Sequence, residues 1–390
     1  MGLFSSRNKT ESIALIDITA GSVGAAYAHY AKGESPVIYY STRVPVETRD
    51  HEEPLDSMLR ALEEVEDQLM LTGAPTLRRE TGSGHIDRIL VSVGAPWQET
   101  KVSTKHIQPA HTFIVTRALL ANAADDIASA APGRIESGRS IIATILNGYE
   151  IGNPFGKRAT RADIVVLSSS LDKKASDAIQ KSLRRAFHAH DIQLTAFAPV
   201  SYAVIRDLYP HQKNFIILEV SDISSDAAFV KHGLLSGVKS APHGLRELTA
   251  ATERAAYLAE HEEPAGLVNK GRNLAFGDRT SIAENAWLAS LRDVFSEFAA
   301  LHALPHTMFL LADAGSRDFL KRTLEGSELR TLWLSDEPLS IMPLAPGNLA
   351  PYLKTRGQAS PDFYLSLLAL FYRKTLIEVT AKKAVAEKEG

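Results

Sequence analysis

The chain has 390 residues, room for two or three domains at about 150 residues each. Its 45% apolar and 23% charged residues exclude a disordered or fibrous protein, and a net charge of −3 excludes a global electrostatic pull toward nucleic acid. With no cysteine it can build no disulfide framework, zinc ribbon or thiol nucleophile. Residues 13–16 (IALI) then read as a buried strand that ends in Asp17 and a small-residue turn, Thr19-Ala20-Gly21-Ser22. Residues 23–30 and 37–40 read as further strands, with a turn at Lys32-Gly33-Glu34. Leu55, Met58, Leu62, Val65 and Leu69 recur every three to four residues and predict a helix with an acidic, solvated outer face.

Residues 73–86 are rich in Gly, Thr and Pro and read as a long exposed loop; 89–93 reads as a fourth strand. Residues 99–163 break the pattern. A short strand, a helix near 116–129, a polar Gly-rich loop, a strand at 141–146 and several turns suggest a small α+β unit inserted into a larger one. Then come a strand at 164–167 and a helix with Ala175, Ile179, Leu183 and Phe187 on one face. Asp172 stands near its start, where a carboxylate suits the positive end of the helix dipole. A second cycle follows: a strand at 215–220, an acidic turn and a strand at 227–231. A helix is predicted by Trp287, Leu291, Val294, Phe298 and Leu301, and a strand at 308–311 leads into Ala312-Asp313-Ala314-Gly315. Strand, acidic turn and strand thus occur twice, about 200 residues apart, which points to two similar α/β halves.

The first twelve residues are too polar for a signal peptide. The longest apolar run, 363–372, is about half of the ~20 residues that span a bilayer and reads as a buried helix. Gly2 and Ser6 formally fit a myristoylation pattern, but a short polar leader is the expectation. Phosphate-loop, dinucleotide, zinc-protease and hydrolase-elbow motifs are absent. His302 and His306 are spaced like a metal pair, yet Pro305 interrupts the helix between them; His188 and His190 are expected on different sides of a helix. No catalytic residue is expected.

The acidic turns carry the remaining chemistry. A nucleotide held between two similar domains needs two hairpins with Asp or Glu to hold Mg2+ through water and Gly to let N–H groups approach phosphate. Asp17, Glu219, Asp222 and Asp226 stand where such acids are required, although on spacing alone a short acidic turn more often simply ends a strand.

At these residues the chain resembles the bacterial FtsA family of actin-like cell-division proteins and, more distantly, PilM of type IV pilus assembly. IALIDITAGSVGAAYA is similar to the family's first phosphate hairpin, and FIILEVSDISSDAAFVKHGLL to the second, with Glu219 in the usual Asp position and Asp226 as the second acid. MFLLADAGS resembles the adenosine-contacting strand and turn. Ile151-Gly152-Asn153-Pro154-Phe155-Gly156 resembles a stretch of FtsA's 1C subdomain, residues 197–204 the connection into domain 2, and PDFYLSLLALFYRK the last helix. The likeness covers about residues 10–375.

The resemblance implies an actin-like, two-domain, ribonuclease-H-type α/β fold with an inserted α+β (1C or SHS2-type) subdomain. The boundaries are 10–98, 164–212 and 358–376 for domain 1A, 99–163 for the insertion, 213–357 for domain 2 with a small 2B-like part about 245–285, and 377–390 for a tail. It implies ATP and Mg2+ as cofactors at Asp17, Thr19, Gly21, Ser22, Glu219, Ser221, Asp226, Gly244 and Gly315, with Asp17, Glu219 and Asp226 on the metal side. The departures point to binding that is weak or lost. Ser221-Asp222-Ile223-Ser224-Ser225 replaces a Gly-rich run, Thr19 replaces a Gly, the adenosine turn keeps only Gly315, and residues 249–275 show no clear Ala-Glu-x-x-Lys stretch. The C-terminus lacks an aromatic membrane anchor, and Gly2-Leu3-Phe4 is an equally weak one.

The favoured function is therefore an FtsA-like scaffold that links an FtsZ-type polymer to membrane-bound division proteins. The alternative is a PilM-like pilus component that binds an inner-membrane partner's cytoplasmic peptide. The chain is expected in the cytoplasm, peripheral to the membrane through its partners, with no nucleic acid bound. A sugar kinase would need a catalytic Asp and intact hairpins, and a chaperone a long domain after residue 376. Head-to-tail self-association is expected through Tyr149 and Phe155, unless both rings pack inward.

Overall fold

The computed structural model describes residues 10–127, 130–188, 191–249, 276–333, 337 and 339–389. They fall into two units, Met1–His211 with Ala345–Gly390, and Gln212–Leu344. Expected features at residues 1–9 and most of the 2B-like part and the 249–275 stretch lie outside the described residues.

In the first unit β1 (Glu11–Ile18), β2 (Ser22–Tyr30) and β3 (Val37–Pro45) form an antiparallel meander. β4 (Arg88–Val93) joins β1 in parallel, β11 (Ile192–Ala196) joins β4, and β17 (Lys354–Gln358) joins β3, giving the order β11-β4-β1-β2-β3-β17. Nearly every residue of β1 and β2 is buried, as a strand covered on both faces requires. α1 (Pro54–Gln68) packs on one face together with α4 (Lys173–Phe187). α5 (Phe197–Leu208) and the C-terminal helix α9 (Phe363–Glu389) pack together on the other side, where Phe197 meets Tyr364, and Tyr30 meets Tyr372 and donates to the Ala369 carbonyl. The apolar run at 363–372 is thus a buried helix, and among the described residues no helix is long and apolar enough to cross a membrane. α9 continues through most of the stretch read as a tail.

Residues 73–86 are not a long loop. A single π-type turn, Leu69–Gly73, leads into α2 (Ala74–Thr81), whose Pro75 sits in the first turn, where its missing N–H costs nothing. Gly73 allows the close packing, because a Cβ there would lie 2.8 Å from the Tyr27 ring and 2.9 Å from Tyr40. Between β4 and α4 the chain builds a separate four-stranded sheet, in the order β5 (Gln98–Ile107), β10 (Ala162–Asp172), β7 (Arg134–Leu146), β8 (Tyr149–Glu150). α3 (Arg117–Asp125) contributes Leu120, Ala123 and Ala124 to its core, and β6 (Phe113–Ile114) and β9 (Arg158–Ala159), which form a short antiparallel pair, add Ala159 with Phe113 packed against it. β7 and β10 run well beyond the expected 141–146 and 164–167. Their extra residues, Arg134–Ser140 and Ser168–Asp172, are polar or glycine apart from Ile135 and Leu171 and pair through the backbone across bulges, so hydrophobic pattern does not reveal them. Asp172 does cap α4, its Oδ1 accepting from Ala175 N–H at 2.9 Å.

The second unit repeats the first sheet's logic. β12 (Phe215–Val220), β13 (Ser224–Lys231) and β14 (Leu234–Pro242) are antiparallel, β15 (Thr307–Leu311) is parallel to β12, and β16 (Ser340–Pro343) is parallel to β15. The order β14-β13-β12-β15-β16 reproduces β3-β2-β1-β4-β11. α6 (Phe276–Ala299) packs Trp287, Leu291, Phe295 and Phe298 on this sheet, with Phe298 stacked on Phe229 at 3.8 Å, and α7 (Arg317–Gly326) adds Leu320 and Leu324. Leu301, read as part of that stripe, lies past the helix end and is exposed. After β16 the chain passes through α8 (Pro346–Leu349) to β17. The return to the first unit thus comes at Ala345, ahead of the expected 358, because β17 extends the edge of the first sheet.

Candidate functional site

The two acidic turns have the same internal wiring. In the first, Thr19 N–H and Oγ1 both donate to the Ser22 carbonyl, at 3.0 and 3.1 Å, and Ser22 N–H donates back to Thr19 Oγ1 at 3.1 Å. In the second, Ser221 N–H and Oγ both donate to the Ser224 carbonyl at 2.9 Å, and Ser224 N–H returns to Ser221 Oγ at 3.3 Å. A hydroxyl residue at each turn start satisfies the backbone locally. The Gly21 carbonyl is taken as well, by Val46 N–H at 2.9 Å.

Asp17, at the end of β1, is fully buried and pairs across the hairpin with Gly24. Its carboxylate accepts from Ser92 Oγ at 3.2 Å and from Arg43 Nη2 at 3.0 Å. Arg43 also donates from Nη1 to Ser22 Oγ at 2.9 Å, and from Nε and Nη2 to the two oxygens of Asp362 at 2.6 and 3.1 Å. Burial pushes the Asp17 carboxyl up to about 6, against the pull of Arg43. Burial also works to lower Arg43, yet Asp362 and Asp17 hold it charged, well above its usual range. Arg43 and Asp362 escaped the sequence reading. The available signal was a lone Gly inside an apolar strand, SVGAAYA, which marks a close approach by another group.

In the second hairpin Glu219 faces Asp226 across the strands, both buried. Asp222 at the tip pairs with Arg246 at 2.5 Å. Gly244 is required for a structural reason, since a Cβ there would stand 2.7 Å from the backbone of Asp222. That approach lets Leu245 N–H donate to the Ser221 carbonyl at 2.9 Å and Arg246 N–H to the Asp222 carbonyl at 2.8 Å. Gly315 lies in the exposed turn after β15, where a Cβ would meet nothing within 4 Å.

Tyr149 and Phe155 flank a turn tied down at both ends. Asn147 Oδ1 accepts from Thr160 and Arg161 N–H, and Gly156 N–H donates to the Val115 carbonyl. Neither ring packs inward: Tyr149 is 75% exposed and Phe155 47%, the latter under the Arg117 guanidinium at 5.4 Å. His188 ends α4 in a left-handed conformation rather than lying along it. Among the described residues, no group of three or more His, Asp or Glu side chains is placed to hold a metal ion.

No protein-family model matches the sequence, and no curated protein matches it. Among solved structures, the chain is similar to a PilM–PilN type IV pilus biogenesis complex, at 12% identity and a TM-score of 0.51, covering 92% of this chain and 97% of that one. This likeness spans both repeats of the strand order. The fold is actin-like. A Bacteroides thetaiotaomicron protein described as having an actin-like ATPase fold and unknown function is also similar, at 9% identity and a TM-score of 0.41, over 95% of this chain and 99% of that one. The ethanolamine utilization protein EutJ from Carboxydothermus hydrogenoformans follows at 8% identity and 0.33, over 93% and 90%.

An actin-like fold implies Mg2+ and a nucleotide, and the hairpins can be tested for fit to them. The first turn has its N–H groups at Thr19 and Ser22 engaged internally, and a guanidinium stands against the acid expected to organise the metal's waters. At the second, the Leu245 and Arg246 N–H groups that could cradle a phosphate are spent on the turn's own carbonyls, with the Asp222 carboxylate at the tip. The guanidinium on Asp17 and the carboxylate of Asp222 at the second tip both oppose a metal-bound polyphosphate.

Proposed function

We propose that this chain is a non-catalytic, actin-like adaptor of the PilM type. It would hold the short cytoplasmic segment of an inner-membrane partner in type IV pilus assembly and lie peripheral to the membrane through that partner. The observation that carries this reading is the likeness to PilM over 92% of the chain. An Asp17 carboxylate already paired with Arg43, beside turns closed by their own hydroxyls, agrees with a scaffold in which nucleotide binding is weak or lost. The separate sheet between β4 and α4 would be the 1C-type element that meets neighbours, and the exposed Tyr149 beside half-covered Phe155 would anchor a contact between copies of the chain. An FtsA-like division scaffold is the second reading, favoured by the Ile151–Gly156 segment.

One pair of measurements separates them. Labelled peptides from the cytoplasmic ends of membrane proteins encoded beside this chain are titrated with it, and co-sedimentation with an FtsZ-type polymer is measured in parallel. Saturable binding of a pilus-type peptide without co-sedimentation is expected. Co-sedimentation without peptide binding would move the assignment to division, and failure of both would reject the adaptor.

A further inference from the structure

We infer that Arg43 is the built-in cation of the first hairpin, standing in the electrostatic place of a divalent ion and closing the hairpin to metal-bound polyphosphate. This deepens only the nucleotide side of the adaptor reading and leaves partner binding untouched.

The guanidinium is held on every side. Its Nε and Nη2 fork both Asp362 oxygens, Nη2 also reaches Asp17, Nη1 reaches Ser22 Oγ, and the Tyr364 ring lies 5.3 Å from Cζ. Four of its five N–H donors are thereby aimed. The far end of the fork is also fixed, because Asp362 Oδ1 accepts from Leu365 N–H at 2.9 Å and so caps α9. Swinging Arg43 away would strand a buried carboxylate at Asp17 and loosen the start of a helix.

The charge balance points the same way. One guanidinium faces two carboxylates, so an incoming phosphate finds no net positive charge, and an incoming Mg2+ must displace a cation already paired at 3.0 and 2.6 Å. The second hairpin serves as an internal control. There Asp226 occupies the place of Gly24, and Ser240 the place of Arg43. Hairpin geometry alone therefore does not demand the arginine. It belongs to the first hairpin, together with the glycine that clears its path: a Cβ at Gly24 would stand 2.5 Å from Nη2.

The test uses Mn2+ with and without ATP on the full-length chain, with free Mn2+ read by electron paramagnetic resonance. The parent is expected to show no Asp17-dependent binding at millimolar Mn2+. Arg43→Gln, which leaves the two carboxylates without their cation, is expected to gain a site at least about tenfold tighter than any in the parent. Adding Asp17→Asn to Arg43→Gln is expected to abolish it. Parent binding that disappears in Asp17→Asn alone would overturn the proposal, as would a folded Arg43→Gln variant that binds Mn2+ no better than the parent. The parent and Asp17→Asn comparison stands even if Arg43→Gln does not fold. Peptide titration of the same samples reports separately on the adaptor reading.

Discussion

Arg43 reaches Asp17 only because Gly24 has no side chain, since a Cβ there would stand 2.5 Å from Nη2 and 2.7 Å from Cζ. Gly24→Ala should therefore push the guanidinium off the carboxylate and cost about 1–3 kcal/mol, the usual penalty for leaving a buried polar group unpaired. Urea unfolding of Gly24→Ala, Arg43→Met and the double variant checks this. The double should lose clearly less than the two singles together, whereas additive losses would give the glycine another role. Two buried acids also make stability depend on pH. Burial lifts Asp17 to about 6 from 3.8, and lifts Glu66 to about 7 from 4.5 while Ser182 Oγ, its donor at 3.1 Å, pulls the other way. Both native pKa values lie above the unfolded ones. Their contribution is thus fully present below about pH 4 and is lost as pH rises through about 6 for Asp17 and about 7 for Glu66. Glu66 Oε1 is buried without a hydrogen-bond partner, so Glu66→Gln should be more stable than the parent at pH 8 by on the order of 1 kcal/mol, with little difference at pH 5. Melts at the two pH values that run parallel would contradict the assignment.

At the scale of elements, α1, α4 and α6 were legible because burial on one face writes a period into the residues, as at Met58, Leu62 and Val65 or Ile179 and Leu183. β12 was legible because burial at every position leaves a nearly unbroken apolar run. The cap was legible too. Asp172→Ala should cost α4 about 1 kcal/mol, read as a lowered melting temperature, while Asp172→Asn or Asp172→Ser should recover most of it. The elements that escaped are polar or exposed strands. β17 is exposed along its length, and β7 begins with charged and small residues; backbone pairing leaves no trace in hydrophobic pattern. α2 was hidden by its Gly and Pro, which here enter the helix rather than break it. Both hairpins were placed correctly along the chain as strand, turn and strand. Their closure could not be read there, because Asp362 lies 319 residues from Arg43 and only the fold brings them together.

On the scale of the whole molecule, the same strand order occurs in both units, and the hydroxyl-closed turn recurs with it. Two similar α/β halves were therefore legible from the duplicated pattern, while the actin-like class came from the resemblance of the hairpin motifs, and neither distinguishes a pilus role from a cell-division role. If copies associate through the Tyr149 turn, sedimentation velocity over a wide concentration range should show association in the parent. Tyr149→Ala should weaken it at least about tenfold, with a smaller effect from Phe155→Ala because Arg117 already covers that ring. A parent that stays monomeric throughout would remove the contact. In the adaptor proposal, an actin-like framework works as a protein-binding scaffold without a nucleotide switch. Fluorescence anisotropy of the labelled pilus-type peptide, titrated with the full-length chain in the presence and absence of Mg2+-ATP, tests it most directly. Saturable binding with the same Kd in both conditions is predicted; an affinity that changes several-fold with Mg2+-ATP, or no binding in either, would contradict it.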